Sequence, residues 1–222
     1  SPGSGKGTQC SAFAERFGFC HLSTGDILRA ELESGSEQSA MIKKNMSKGV
    51  LVPSDFMTRL LKRAMLESGK NTFLIDGFPR SVDNYAEFKK LISIEPNFVL
   101  YLECPEKVMI ERLLKRNQGR DDDNMATIKK RIDGMNSMLP IIEHFESESM
   151  LCKIDASKSV EEVTEQIFPL LSAWMESAKK RTEGMESMYP VVQRNDLEGI
   201  PGKIDADKSL DEVSVGIEAI AI

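Results

Sequence analysis

The sequence predicts an α/β fold in three layers, a parallel sheet with helices on both faces. Short apolar runs alternate with helical patterns along the chain, joined by short links. A glycine-rich loop also opens the chain directly ahead of a helix.

The loop is Ser1-Pro2-Gly3-Ser4-Gly5-Lys6-Gly7-Thr8. It fits most of the phosphate-binding pattern Gly-x-x-x-x-Gly-Lys-Ser/Thr, with Gly7 at the Ser/Thr place and Thr8 one place later. Backbone N–H groups in such a loop converge on an anion, and Lys6 adds a full charge. The pattern's first glycine would fall before Ser1, and no apolar strand feeds the loop. The expectation is therefore a sheet with its first strand missing.

Gln9–Phe17 follows as a helix with Phe13 and Phe17 on one face. Gly25–Pro53 carries two helical stretches, Ile27–Glu33 and Glu37–Lys48, and no strand. Buried strands are predicted at Thr72–Ile75, Phe98–Leu102 and Leu151–Ile154. Helical patterns cover Asp55–Glu67, Val82–Ile92, Glu106–Lys115 and Met125–Phe145. Gln118–Asp123 is a short charged loop. Ligands of such folds sit at the carboxyl ends of the strands, where Asp76 lies.

From Lys129 the chain repeats itself at an offset of 50: 18 of the 44 positions in 129–172 are identical in 179–222. Two copies are too few for a solenoid, so the tail reads as a late partial duplication. Its strand candidate is Lys203-Ile204-Asp205, flanked by copies of helical segments. Pro201-Gly202 shortens that strand too much for it to fill a central gap. The tail is therefore expected to be dispensable.

The 222 residues suffice for one domain with an appendage, and the formal charge of −6 argues against nucleic acid or an acidic membrane surface. No apolar run is long enough to span a bilayer. Cys10, Cys20, Cys104 and Cys152 form no CxxC pair, which argues against zinc. Without a signal peptide, reduced thiols in the cytoplasm are the expectation, with the nucleus open as a second compartment.

Asp76-Gly77-Phe78-Pro79-Arg80 directly follows a buried strand. An acid there can hold Mg²⁺, while the alternative is an ordinary turn. Arg29, Arg80, Arg112, Arg116, Arg120 and Arg131 cluster around the helical insertion and the charged loop. Guanidinium forks suit phosphate oxygens, although a single arginine is more often a solvated charge. Asp121–Asp123 is a candidate partner set for Arg120 and Arg131.

The sequence resembles the nucleoside monophosphate kinases, in the branch that includes adenylate kinase and UMP-CMP kinase. The motifs that carry the resemblance are Pro-Gly-Ser-Gly-Lys-Gly-Thr at 2–8, Leu-Ser-Thr-Gly-Asp at 22–26, Asp-Gly-Phe-Pro-Arg at 76–80, Gly-Arg-Asp-Asp-Asp-Asn at 119–124 and Lys-Lys-Arg at 129–131. The resemblance implies a P-loop NTPase core at 1–24 and 54–172, an acceptor-binding insertion at 25–53 and a short lid at 117–123. The tail at 173–222 has no counterpart in the family.

By the same resemblance, Gly3, Ser4, Gly5, Lys6, Gly7 and Thr8 would cradle the ATP phosphates. Arg112 would lie against the adenine beside the backbone near Ser157-Lys158, with Arg116 also on the ATP side. Asp76 would support Mg²⁺, directly or through water. Thr24, Arg29, Val52, Gly77, Arg80 and Asn84 would bind the acceptor nucleotide. Arg120 and Arg131 would close over the phosphoryl group.

The implied activity is transfer of the γ-phosphoryl of Mg-ATP to UMP or CMP by a monomer. Asn84 stands where adenylate kinases carry the glutamine that reads adenine, which points to a pyrimidine acceptor, whereas Thr24 points to adenylate kinase. Both acceptors stay open, as does a nucleotide-binding chain without turnover. No Asn-Lys-x-Asp guanine motif occurs, which disfavours a GTPase.

Overall fold

The computed structural model describes residues 1–185 and 218–221, except 93, 117–118 and 121–122, with backbone alone over 178–185 and 218–221. All strand pairs are parallel, in the order β1-β2-β5-β3-β4.

The loop runs into α1 (Lys6–Phe17), which ends at Gly18 in the left-handed region, φ 76°. A short strand, β1 (Cys20–Ser23), follows and pairs with β2 (Thr72–Asp76). Between them lie α2 (Thr24–Glu33), α3 (Ser39–Lys48) and α4 (Ser54–Ser68). The Ser23 hydroxyl caps α2 by accepting from the Asp26 N–H.

After β2 come α5 (Val82–Ile92), β3 (Pro96–Glu103) and α6 (Glu106–Lys115). Next are α7 (Met125–Asp133), a 3-10 turn (Gly134–Met138) and α8 (Leu139–Ser147). The described elements close with β4 (Leu151–Asp155), α9 (Val160–Met185) and β5 (Glu218–Ala221).

The core explains the layers. Successive residues of a strand face opposite sides of the sheet. Leu74 of β2 packs with Phe13 of α1 and Val163 and Ile167 of α9 on one face. Phe73 and Ile75 pack with Leu61 and Met65 of α4 and Phe88 and Ile92 of α5 on the other. Burial on both faces is why this strand reads as an unbroken apolar run.

Three expectations need correcting. The strand β1 was not anticipated. The helix expected over Met125–Phe145 is broken by the 3-10 turn, at Gly134 and just before Pro140, whose missing N–H suits a helix start rather than an interior. The tail is not a bystander, because β5 lies between β2 and β3, at the centre of the sheet. The expected strand Lys203–Asp205 lies outside the described residues.

Candidate functional site

Polar groups gather at the carboxyl ends of β1, β2 and β3, against the first turn of α1. Three features of that turn favour an anion. Its cap is Gly5 with φ 87°, no side chain caps it, and its first turn holds no acid. The leading N–H groups of α1 therefore have no side-chain acceptor of their own. The Ser1 carbonyl organises the loop, accepting from Ser4 Oγ at 2.8 Å and from Lys6 Nζ at 2.5 Å. Gly3 is required sterically: φ is 71°, and a Cβ would stand 2.7 Å from the Met109 carbonyl oxygen. Gly7 brings the helix to Asp76, and Thr8 is exposed beside it.

Asp76 is buried at the end of β2. Burial pushes its carboxyl up, but His21, Lys6 and Arg80 outweigh that and hold it below the ordinary carboxylate value. His21 Nε2 lies 3.7 Å from Asp76 Oδ2. Cys10 is close too: a thiol, an imidazole and a carboxylate offer atoms within 4.8 Å of one another. Of these, only the carboxylate suits a hard cation such as Mg²⁺. Burial, together with Arg80 and Arg131, pushes the Lys6 ammonium down, with Asp76 opposing. An anion placed here would relieve a crowd of positive charge.

The turn after β2 is tightly built. Gly77 has φ 78°, and a Cβ there would meet Arg80 Nη2 at 2.7 Å. Thr24 donates to the Asp76 carbonyl at 3.0 Å, and Arg80 Nε donates to the Gly77 carbonyl at 2.7 Å.

Asn84, buried in α5, accepts from the Arg80 N–H at 3.2 Å and donates to Ser54 Oγ at 2.8 Å. The Arg80 donor fixes which end of the amide is oxygen. One N–H and one lone pair of Asn84 remain for a ligand. A cavity of about 100 Å³ is lined by Thr24, Arg29, Val52, Gly77, Arg80, Asn84 and Arg131. A larger one of about 500 Å³ is lined by Lys6, Gly77, Arg80 and Arg131, and continues to Ile141 and Phe145. Arg80 and Arg131 thus line both.

The other arginines fall into distinct roles. Arg112 donates to the carbonyls of Ala156 at 2.6 Å and Lys158 at 2.8 Å. This fixes its plane beside the Ser157-Lys158 backbone. Arg116 makes a two-pronged ion pair with Asp123, and Arg131 Nη1 lies 4.0 Å from the same carboxylate. Among the described residues, Asp123 therefore serves Arg116 first, and Arg120 faces Asp26 at 3.6 Å; Asp121 and Asp122 of the expected partner set lie outside the described residues. Asp26 also binds Arg29 at 2.5 Å. Burial and the neighbouring charges of Arg29 and Arg116 push the Arg120 guanidinium down.

Sequence reasoning missed His21, Asp26 and Ser54 as partners. Asp26 had a signal, sitting three residues before Arg29 on one helix. His21 and Ser54 had none.

A phosphate loop opening a helix, a carboxylate at the next strand end and arginines shared between two cavities define a P-loop nucleotide-binding protein. Comparison with known proteins agrees: the Adenylate kinase family model matches residues 1–150. The chain belongs to the adenylate kinase family. It is 49% identical over 172 residues to "UMP-CMP kinase 3" of Arabidopsis thaliana, covering 77% of this chain and 85% of that protein. It is 50% identical over 167 residues to "UMP-CMP kinase 3" of Oryza sativa subsp. japonica, covering 75% and 80%. It is 41% identical over 173 residues to "Uridylate kinase" of Saccharomyces cerevisiae, covering 75% and 84%.

Proposed function

We propose that this chain is a nucleoside monophosphate kinase that moves the γ-phosphoryl of ATP to UMP or CMP. The observation that carries the reading is that Arg80 and Arg131 both stand close enough to Lys6 to push its ammonium down, and both line the cavity that holds Arg29 and Asn84. A donor phosphate on Lys6 and an acceptor phosphate beside Arg29 would meet between them. The names of the relatives supply the acceptor class.

In the reaction an acceptor phosphate oxygen attacks Pγ and the bond to the β–γ bridging oxygen breaks, releasing ADP. No protein nucleophile takes part. The chain's work is positioning, charge neutralisation and exclusion of water. The N–H groups at the start of α1 and Lys6 hold the donor phosphates. Arg112, fixed by the Ala156 and Lys158 carbonyls, offers its face to the donor base. Arg29 and Arg80 hold the acceptor phosphate, and Arg120 and Arg131 close over the transferring group. Kinases of this family use ATP with a divalent metal. We assign Mg²⁺ to Asp76, the one hard anionic donor in its cluster, where the ion would neutralise phosphate charge.

Thr24 gives little support to an adenine acceptor, because its hydroxyl proton is committed to the turn after β2. Asn84 stands in the cavity wall with a donor and an acceptor to spare, which suits a pyrimidine edge. An ADP-release assay with UMP, CMP, AMP and GMP tests the reading. UMP and CMP are expected to be the best acceptors, and a preference for AMP would make the chain an adenylate kinase.

A further inference from the structure

We propose that residues 218–221 act as a strand donor, and that the two halves of the nucleotide site stay in register only while this segment is seated. β2 and β3 are not neighbours, and β5 joins them. On one side Phe73 pairs with Ala219, Leu74 with Ile220 and Ile75 with Ala221. On the other, Phe98 pairs with Ile220 and Val99 with Ala221. Withdrawing β5 would leave two separate ladders, β1–β2 and β3–β4.

The functional groups divide along the same line. The β1–β2 half carries Thr24, Asp76 and the Gly77–Arg80 turn. The β3–β4 half carries the shelf made by Arg112 with the Ala156 and Lys158 carbonyls. Ala221 pairs with Ile75, the residue before Asp76. The last described position of the tail thus pairs one residue short of the carboxylate assigned to the metal.

Side-chain packing also crosses the joint. Leu74 and Leu100 share one buried cluster with Phe13 of α1. Such packing tolerates sliding, however, whereas a strand paired on both sides fixes register. Unpaired backbone in the middle of a buried sheet is costly, so the slot between β2 and β3 favours any segment able to fill it.

The occupant's sequence supports the assignment. Glu218-Ala219-Ile220-Ala221 has small or β-branched apolar residues at three of its four positions. By the repeat offset of 50 it is the counterpart of Phe168-Pro169-Leu170-Leu171, which lies inside α9. One copy of the repeat is helix and the other is strand. The second copy carries no proline there, and the place it fills, rather than its ancestry, sets its conformation.

Seating of the strand and binding of nucleotide are then thermodynamically linked. Each should strengthen the other, because both need the two halves aligned. The device differs from an ordinary edge strand, since its release would divide the site rather than fray its border.

Hydrogen exchange on the full chain without nucleotide is the primary test. Amides of residues 219–221 are expected to exchange on the order of 10³-fold more slowly than in an isolated peptide of the same sequence, matching those of β2 and β3. Exchange at the peptide rate would overturn the proposal. Adding ADP with UMP should raise the protection further, by about the factor that removing the tail costs in nucleotide affinity. This first measurement uses no substrate, so its failure is distinguishable from failure of the UMP/CMP reading.

A second arm compares the full chain with one lacking residues 217–222. The shortened chain should lose ADP binding, and a synthetic peptide of residues 214–222 should restore it where a scrambled peptide does not. Unchanged affinity without the tail would overturn the proposal. Protection that appears only at high protein concentration, together with a dimer on size exclusion, would assign the strand to a second copy and overturn donation within one chain.

Discussion

Arg120 and Arg29 share one carboxylate: Asp26 Oδ1 lies 3.6 Å from Arg120 Nη2 and 2.5 Å from Arg29 Nη2. The charged loop after α6 is thereby tied to the first helix of the 25–53 insertion. Asp26 is the anion between two guanidinium groups that the proposed mechanism directs at phosphate.

The first prediction concerns that closure. Arg120→Ala and Arg131→Ala should each lower kcat by at least about tenfold and raise KM for UMP less, because both groups act mainly on charge developing in the transition state. Arg116→Ala should behave differently. Its guanidinium is engaged by Asp123, so its loss should lower Tm and loosen Arg131 indirectly. Steady-state kinetics on the three variants checks this. Unchanged kcat with raised KM would make Arg120 and Arg131 ground-state ligands.

The second concerns the phosphate loop. Lys6 Nζ rests on the Ser1 carbonyl at 2.5 Å, with Asp76 as the nearby opposing charge. Lys6→Ala should cut turnover by at least ~10²-fold, the scale of losing one preorganised electrostatic contact. The fold should survive, because a lysine held down in pKa by burial and neighbouring cations is not there for stability. Circular dichroism and the ADP-release assay together decide. A folded variant with near-normal activity would remove Lys6 from the mechanism.

What could be read from the sequence follows from how local each signal is. Within β2 and β3, Phe73–Ile75 and Phe98–Leu102 are buried or half-buried at successive positions, and an unbroken apolar run announces that. Cys20–Ser23 has four residues at a sheet edge, with a histidine and a serine among them, so no run shows. The phosphate loop and the Asp76–Arg80 turn were legible because each is one contiguous stretch. The Asn84–Ser54 and Arg120–Asp26 pairs were not, since folding alone brings their elements together. The place of β5 was least legible, because its repeat counterpart is helical and its partners are distant in the chain.

The third prediction uses Asp76. Its folded pKa lies below the ordinary 3.8, so the native state favours the ionised form more than the unfolded chain does. Its contribution to stability is then complete above about pH 4 and is lost as pH falls through the lower folded value. Asp76→Asn should remove that part of the acid limb, so that Tm falls less between neutral pH and about pH 3 than in the unmodified chain. The same variant should lose about 10²-fold or more in turnover and need more Mg²⁺ for half-maximal rate. An unchanged Mg²⁺ requirement would take the metal away from this carboxylate.

The fourth concerns the acceptor base. Asn84 is fixed by the Arg80 N–H at 3.2 Å and by Ser54 Oγ at 2.8 Å, which leaves one N–H and one lone pair of its amide unused in a residue that lines the cavity. Glutamine is one methylene longer and cannot keep both bonds while holding the same reach. Its amide would enter the cavity further along, where a purine edge would lie. Asn84→Gln should therefore lower kcat/KM for UMP and CMP and raise AMP relative to them by about tenfold or more, because a site built around hydrogen bonds discriminates when they go unpaired. Ser54→Ala provides the positioning control. It frees the Asn84 amide without changing the residue, so it should blunt the choice between UMP and AMP while leaving kcat for the best acceptor nearly intact. If Ser54→Ala lowers kcat for every acceptor equally and selectivity holds, the Asn84–Ser54 pair is bracing α5 against α4, and the acceptor base is read by other residues of that cavity.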